Sequence, residues 1–116
     1  MAGKKDTVKD SDRKSIITPY LDRCFICGST DRVAIHEIFG GTSNRKKSKE
    51  DSLCLPLCYS HHNGSNNGVH FNKELDDTLK KLGEKIWLEK CCDNELPYEE
   101  KLELFIKRYG KNYLED

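Results

Sequence analysis

Long apolar runs are missing from this sequence. No stretch approaches the roughly 18–20 consecutive apolar residues that cross a bilayer, so no membrane span is expected. The first ten residues, MAGKKDTVKD, contain no apolar core of a secretory signal, and a cytoplasmic protein is expected. Apolar residues are scarce throughout: 35% of the chain is hydrophobic and 34% charged. Globular domains average roughly 45–50% apolar, counting glycine, and about 25% charged. Neither charge is in excess, with 20 Lys and Arg against 20 Asp and Glu, so the bulk basicity of a nonspecific nucleic-acid binder is absent. In 116 residues these shortages leave room for one domain with a thin core, and such a domain needs a covalent or metal cross-link.

Cysteine is the exception to this scarcity. Six are present: Cys24, Cys27, Cys54, Cys58, Cys91 and Cys92. A reducing cytosol disfavours disulfides, and the spacing points elsewhere. Cys24 and Cys27 form a C-x2-C pair, and Cys58 and His61 a C-x2-H pair. Two such pairs in one short chain are the usual layout of a tetrahedral structural zinc site. Cys54 lies in an apolar run and reads as a buried strand residue, with substitution for one zinc ligand as its alternative. Cys91 and Cys92 end a predicted helix and read as structural or free thiols.

The rest of the chain organises around these pairs. Residues 1–15 are polar and aperiodic and read as a flexible tail, leaving 16–116 as a single domain. Gly28 suits the tight turn after the second thiol. Val33 to Phe39 is rich in β-branched residues and reads as a strand, ended by Gly40 and Gly41. A polar loop is expected to Asp51. Leu53 to Leu57 reads as a second strand, which Pro56 confines to a sheet edge or terminates. Asn63 to Gly68 is turn chemistry. Leu75, Leu79, Leu82 and Ile86 recur at helical spacing between Asn72, a plausible N-cap, and about Lys90. A further helix is predicted from Pro97 at N1 to about Tyr109, stopped by Gly110. Leu102, Phe105, Ile106 and Tyr109 should line one side of it, and Trp87 should be core or partly exposed packing, not a base-stacking platform.

All four histidines fall between positions 36 and 70. One structural zinc uses His61 and leaves His36, His62 and His70 over. That surplus suggests a second, open metal site. The run Asn44-Arg45-Lys46-Lys47-Ser48-Lys49 is a local basic patch in an otherwise balanced chain.

The order CxxC, then HEIFGG-x2-NRKxS, then LC-x2-HH and GVH resembles the HNH (His-Me finger, ββα-metal) endonucleases. More closely, it is similar to the small HNH-type proteins of phages and prophages known as Ref-like recombination-associated nucleases. The closing segment Arg108 to Leu114, RYGKNYL, is of the same type, so the resemblance covers roughly residues 22 to 114. It implies an α+β fold, a small zinc-stabilised ββα-metal core followed by two C-terminal α-helices. It also implies a phage- or prophage-encoded, metal-dependent DNA endonuclease acting in recombination or DNA processing, with a recombinase filament as a possible partner.

The resemblance further implies a role for each matching residue. His36, His62 and His70 would hold a catalytic Mg2+ or another divalent cation. Asn44 would brace the intervening loop or orient the base. Arg45, Lys46, Lys47 and Lys49 would hold flanking phosphates. The sequence departs from the family where a second histidine usually activates water: here the pair is His36-Glu37. Three readings follow. Glu37 is the base; or His36 is the base and the other residues hold the metal; or the chain has lost activity and survives as a zinc module that binds DNA or a replication or recombination protein. Adjacent strand residues point to opposite faces, so both can serve one site only where the strand ends or twists.

Overall fold

In the computed structural model the described residues are 13–64 and 68–114. They form a small α+β unit with the element order β1 (Ala34–Glu37), α1 (Thr42–Glu50), β2 (Cys54–Leu57), α2 (Tyr59–Asn63), α3 (Lys73–Lys90) and α4 (Tyr98–Tyr109). No helix among the described residues is long and apolar enough to cross a membrane. Most of the expected tail, residues 1–12, lies outside the described residues. Its end does not behave as a tail. Ser15 donates its hydroxyl to the Cys54 carbonyl, and Arg13 forms an ion pair with Glu37 at 2.7 Å.

The strands pair antiparallel, with His36 opposite Leu55 and Glu37 opposite Cys54. β2 is buried along its whole length. Pro56 does not end it. Proline lacks only an N–H, and the Pro56 carbonyl is used, accepting from the backbone of Phe25 at 2.8 Å. This bond hangs the Cys24–Cys27 turn from the outer edge of β2. Within that turn Gly28 takes φ 79°, the left-handed conformation that glycine adopts without strain.

The expected polar loop between the strands is a helix, α1. Its sequence, TSNRKKSKE, has no apolar residue to betray a helical period, so pattern reading fails there. Polar contacts hold it. Ser48 is fully buried and accepts the backbone N–H of Phe39 at 3.0 Å, while Lys47 and Asn44 bond to carbonyls of α4.

The two C-terminal helices follow the sequence closely. Asn72 caps α3 by accepting the Leu75 N–H, and Gly110 closes α4 in the left-handed conformation at φ 91°. Pro97 sits at the N-cap of α4, one position before N1. The predicted α4 stripe holds for Phe105 and Tyr109, whereas Ile106 is 36% exposed. An aromatic core joins both halves of the fold. Phe39 packs on Tyr109, Tyr113 and Phe105 at 4.6, 5.1 and 5.6 Å between ring centroids, and Trp87 meets Phe105 at 5.3 Å. Truncating such a buried Phe to Ala costs roughly 3–5 kcal/mol. Below the rings, the Asp51 carboxylate accepts from Trp87 Nε1, Arg108 Nε and the Tyr109 hydroxyl at 2.7–2.8 Å. Asp51 thus ties the end of α1 to both long helices.

Candidate metal centres

Two donor clusters flank α2. The first joins Cys24 and Cys27 of the N-terminal turn to Cys58 and His61. The Sγ atoms of Cys27 and Cys58 are 3.7 Å apart, and His61 Nδ1 lies 3.5 Å from Cys58 Sγ and 3.7 Å from Cys24 Sγ. A tetrahedral zinc with bonds of about 2.3 Å to sulfur and about 2.0–2.1 Å to nitrogen separates sulfur from sulfur by about 3.8 Å and sulfur from nitrogen by about 3.6 Å. These three distances match the edges of a zinc tetrahedron, all four donors lie within 4.8 Å of one another, and the cluster can hold such an ion. Burial pushes the Cys24 thiol up, but backbone hydrogen bonds from Cys58, Cys27 and Ile26 outweigh it and bring it down to about 6. A thiolate is the form that binds metal. Cys54 is not part of the cluster; its thiol reaches the Lys14 carbonyl at 3.4 Å, as a buried strand residue. Cys91 is the exposed C-cap of α3.

The second cluster is His36, His62 and His70. It draws on three elements: the end region of β1, the helix α2, and the turn leading to α3. His62 Nε2 and His70 Nε2 are 3.1 Å apart. The ring of His36 stands 5.3 Å from that of His62 and 5.5 Å from that of His70. Neighbouring nitrogens on one ion would be separated by about 3.0 Å in an octahedral site and about 3.4 Å in a tetrahedral one, at bonds near 2.1 Å; the observed spacing lies between. His36 Nε2 is buried with no hydrogen-bond partner, a state that normally carries a cost of roughly 1–3 kcal/mol and that a bound cation would relieve. Burial, then the neighbouring His62 and His70, hold the His36 imidazole down to about 3. Burial and His70 also lower His62. Both are thus kept neutral, the form in which imidazole coordinates metal.

A cavity of about 700 Å³ opens over this cluster. Besides the three histidines, its lining includes Arg13, Glu37, Arg45, Lys49, Lys80 and Tyr113. Glu37, the last residue of β1, borders the same cavity as His36. One carboxylate oxygen of Glu37 accepts from Arg13; the other, Oε1, is buried with no partner. Burial raises the Glu37 carboxyl, against the opposing pull of Arg13, Lys49 and Arg45.

The basic run divides. Arg45 and Lys49, one helical turn apart, border the cavity. Lys47 does not: its ammonium donates to the Arg108 carbonyl at 2.7 Å. Lys46 is exposed and is not among the lining residues. Asn44 does not reach the histidines either. Its side-chain amide donates to the Tyr109 carbonyl at 3.2 Å, bracing α1 on α4. Sequence reading missed Arg13, and with it Asp76, Lys80 and Tyr113 of the cavity lining. Arg13 sits in a stretch of mixed charge without period, and only tertiary contact distinguishes it.

No family model, curated protein or solved structure matches the chain.

Proposed function

We propose that the protein is a metal-dependent phosphodiesterase acting on DNA, built as a variant of the HNH (ββα-metal) nucleases. The observation that carries this reading is the set of three imidazoles converging beside a cavity lined by Arg13, Arg45 and Lys49. Cation ligands next to fixed guanidinium and ammonium groups suit a phosphodiester, whose charge needs both. The strand–helix placement of the ligands, His36 beside the end of β1 and His62 on α2, supports the HNH comparison.

His36, His62 and His70 would hold the ion. When bound, a divalent cation supplies Lewis-acid polarisation of a phosphoryl oxygen and charge stabilisation at the leaving oxygen. An all-imidazole donor set suits zinc, iron or nickel better than Mg2+. The remaining work falls to side chains of this chain. Arg45 and Lys49 bind the phosphates flanking the scissile one. Glu37 Oε1, unpartnered and open to a proton, takes one from the attacking water as its oxygen forms the new bond to phosphorus. The bond from phosphorus to the departing sugar oxygen breaks, and that oxygen takes a proton from solvent. Arg13 holds the other oxygen of Glu37 and fixes the carboxylate's direction.

The test is incubation of plasmid and single-stranded DNA with the purified chain and Zn2+, Mn2+, Ni2+ or Mg2+, with and without EDTA. Metal-dependent cleavage lost in His62→Ala supports the reading; absence of cleavage with every ion counts against it. One observation favours a second reading, a noncatalytic DNA-binding zinc module. The Glu37–Arg13 ion pair, with side chains only about a tenth exposed, occupies the position where the family usually has its base. Cleavage absent in the wild type and gained in Glu37→His would select that second reading.

A further inference from the structure

The two clusters are joined by the backbone of one residue. The His61 ring belongs to the thiolate cluster. Its carbonyl accepts the N–H of Val69 at 2.7 Å, which sets the residue before His70. His62 follows it directly, and the His62 N–H donates to the carbonyl of Cys58, another thiolate-cluster ligand, at 2.9 Å.

Beyond these bonds the segment is held at its two ends, by the Tyr59 N–H on the Asp31 carbonyl at 3.1 Å with the Arg32 guanidinium over the Tyr59 ring, and by Val69, which is buried in the core. α2 has five residues, none of them buried and no side-chain cap. A helix that short does not persist alone. Gly64 and Gly68 are closely approached by backbone: an added Cβ would collide with the Ser60 carbonyl oxygen at Gly64 and would lie 2.5 Å from the backbone of Gly64 at Gly68. Glycine at both positions lets Val69 reach His61. His36, by contrast, is a buried residue of β1, paired with Leu55 in the sheet. His62 therefore depends directly on where Cys58 and His61 are held, His70 shares that dependence with the core anchor of Val69, and His36 does not depend on it.

From this geometry we infer that the metal sites fill in order: occupation of the thiolate cluster assembles the tri-histidine cluster, and the second ion binds only to chains that carry the first. The inference rests on the tri-histidine cluster being a metal site, as proposed above. It makes zinc supply to the thiolates a control on the open site. Linkage makes the coupling reciprocal, so the second ion tightens retention of the first. If fewer than about a tenth of the zinc-free chains hold α2 in place, affinity at the histidines falls at least about tenfold without the first ion.

The experiment is a Co2+ titration of the full chain after chelator treatment. Thiolate-to-cobalt charge transfer reports the first site, and the ligand-field bands of an imidazole-only ion report the second. In the wild type, the charge-transfer absorption should saturate at one equivalent before the second signal rises. In Cys27→Ser the second signal should require at least about tenfold more Co2+. A second signal that rises together with the first, or at unchanged Co2+ in Cys27→Ser, overturns the ordering while leaving the open site intact. A wild type that binds one equivalent only overturns the open site and the ordering together.

Because Cys27→Ser can also lose its fold, the reverse arm uses His36→Ala, a change outside α2 and its turn. Transfer of the thiolate-held ion to a competing chelator should become easier in that variant when excess metal is present. Unchanged transfer overturns the coupling.

Discussion

His61 and His62 are consecutive residues of one short helix, yet they serve unlike clusters. Around His61 four donors lie within 4.8 Å of one another, Cys24 and Cys58 are buried, and no cavity-lining residue belongs to the set. Around His62 there are three nitrogens and an adjoining cavity of about 700 Å³. Four donors that close on themselves give an ion whose free energy goes into folding; three donors beside a cavity leave a coordination position for chemistry. The difference does not lie in the histidines. It lies in what each side of α2 meets: the Cys24–Cys27 turn on one, the end of β1 on the other.

The largest expected effect breaks the closed cluster. Zinc binding in such sites contributes roughly 10–16 kcal/mol, as much as the whole stability of an ordinary domain, about 5–15 kcal/mol. Cys58→Ser should therefore lose cooperative thermal unfolding and bound zinc together, as read by circular dichroism and metal analysis. A wild-type melting curve would show that the cluster is no staple. Next comes the pair itself. His62→Ala should abolish cleavage and keep structural zinc near one equivalent, while His61→Ala loses both. Equal zinc loss in the two variants would erase the distinction between the clusters.

A smaller effect sharpens the chemistry of the open cluster. If the Glu37 carboxylate is the proton acceptor, Glu37→Gln should slow cleavage by about 10²–10⁴-fold while DNA binding survives, because the amide keeps the shape but cannot take a proton. Glu37→His should retain or raise the rate. Arg13→Ala should slow it less than Glu37→Gln, since the carboxylate remains and loses only its partner. If His36 is the base instead, Glu37→Gln costs little and His36→Ala nearly everything.

Both clusters were legible in the sequence because metal sites are written as spacing: C-x2-C, C-x2-H, and three histidines left over. The long helices were legible too, since Leu75, Leu79 and Phe105 mark their buried sides with apolar side chains. What could not be read is held by polar contacts. α1 carries no apolar period and is fixed by Ser48, Asn44 and Lys47. Arg13 and Asp51 look like ordinary surface charges until the fold brings Glu37 to one and Trp87, Arg108 and Tyr109 to the other. Hydrogen bonds between residues distant in sequence leave no periodic trace.

The smallest effect concerns the basic residues of α1, where sequence reading assigned one role to four side chains and the fold gives them different surroundings. Arg45 and Lys49 line the cavity beside the histidines; Lys47 is bound to the last turn of α4. Each phosphate contact removed lowers the slope of log affinity against log salt by about 0.9 on duplex DNA and about 0.7 on single strands. Replacing Arg45 and Lys49 together with alanine should thus lower the slope by about 1.4–1.8, measured by fluorescence anisotropy across a salt series with a metal-free, uncleaved duplex and a single strand. Lys47→Ala should leave the slope unchanged and instead reduce stability by about 0.3–1 kcal/mol, the worth of a cation at a helix C-terminus. A salt slope that falls equally for Lys47→Ala would mean that DNA contacts the side of α1 next to α4 and not the metal cavity, and the open cluster would lose its link to phosphate.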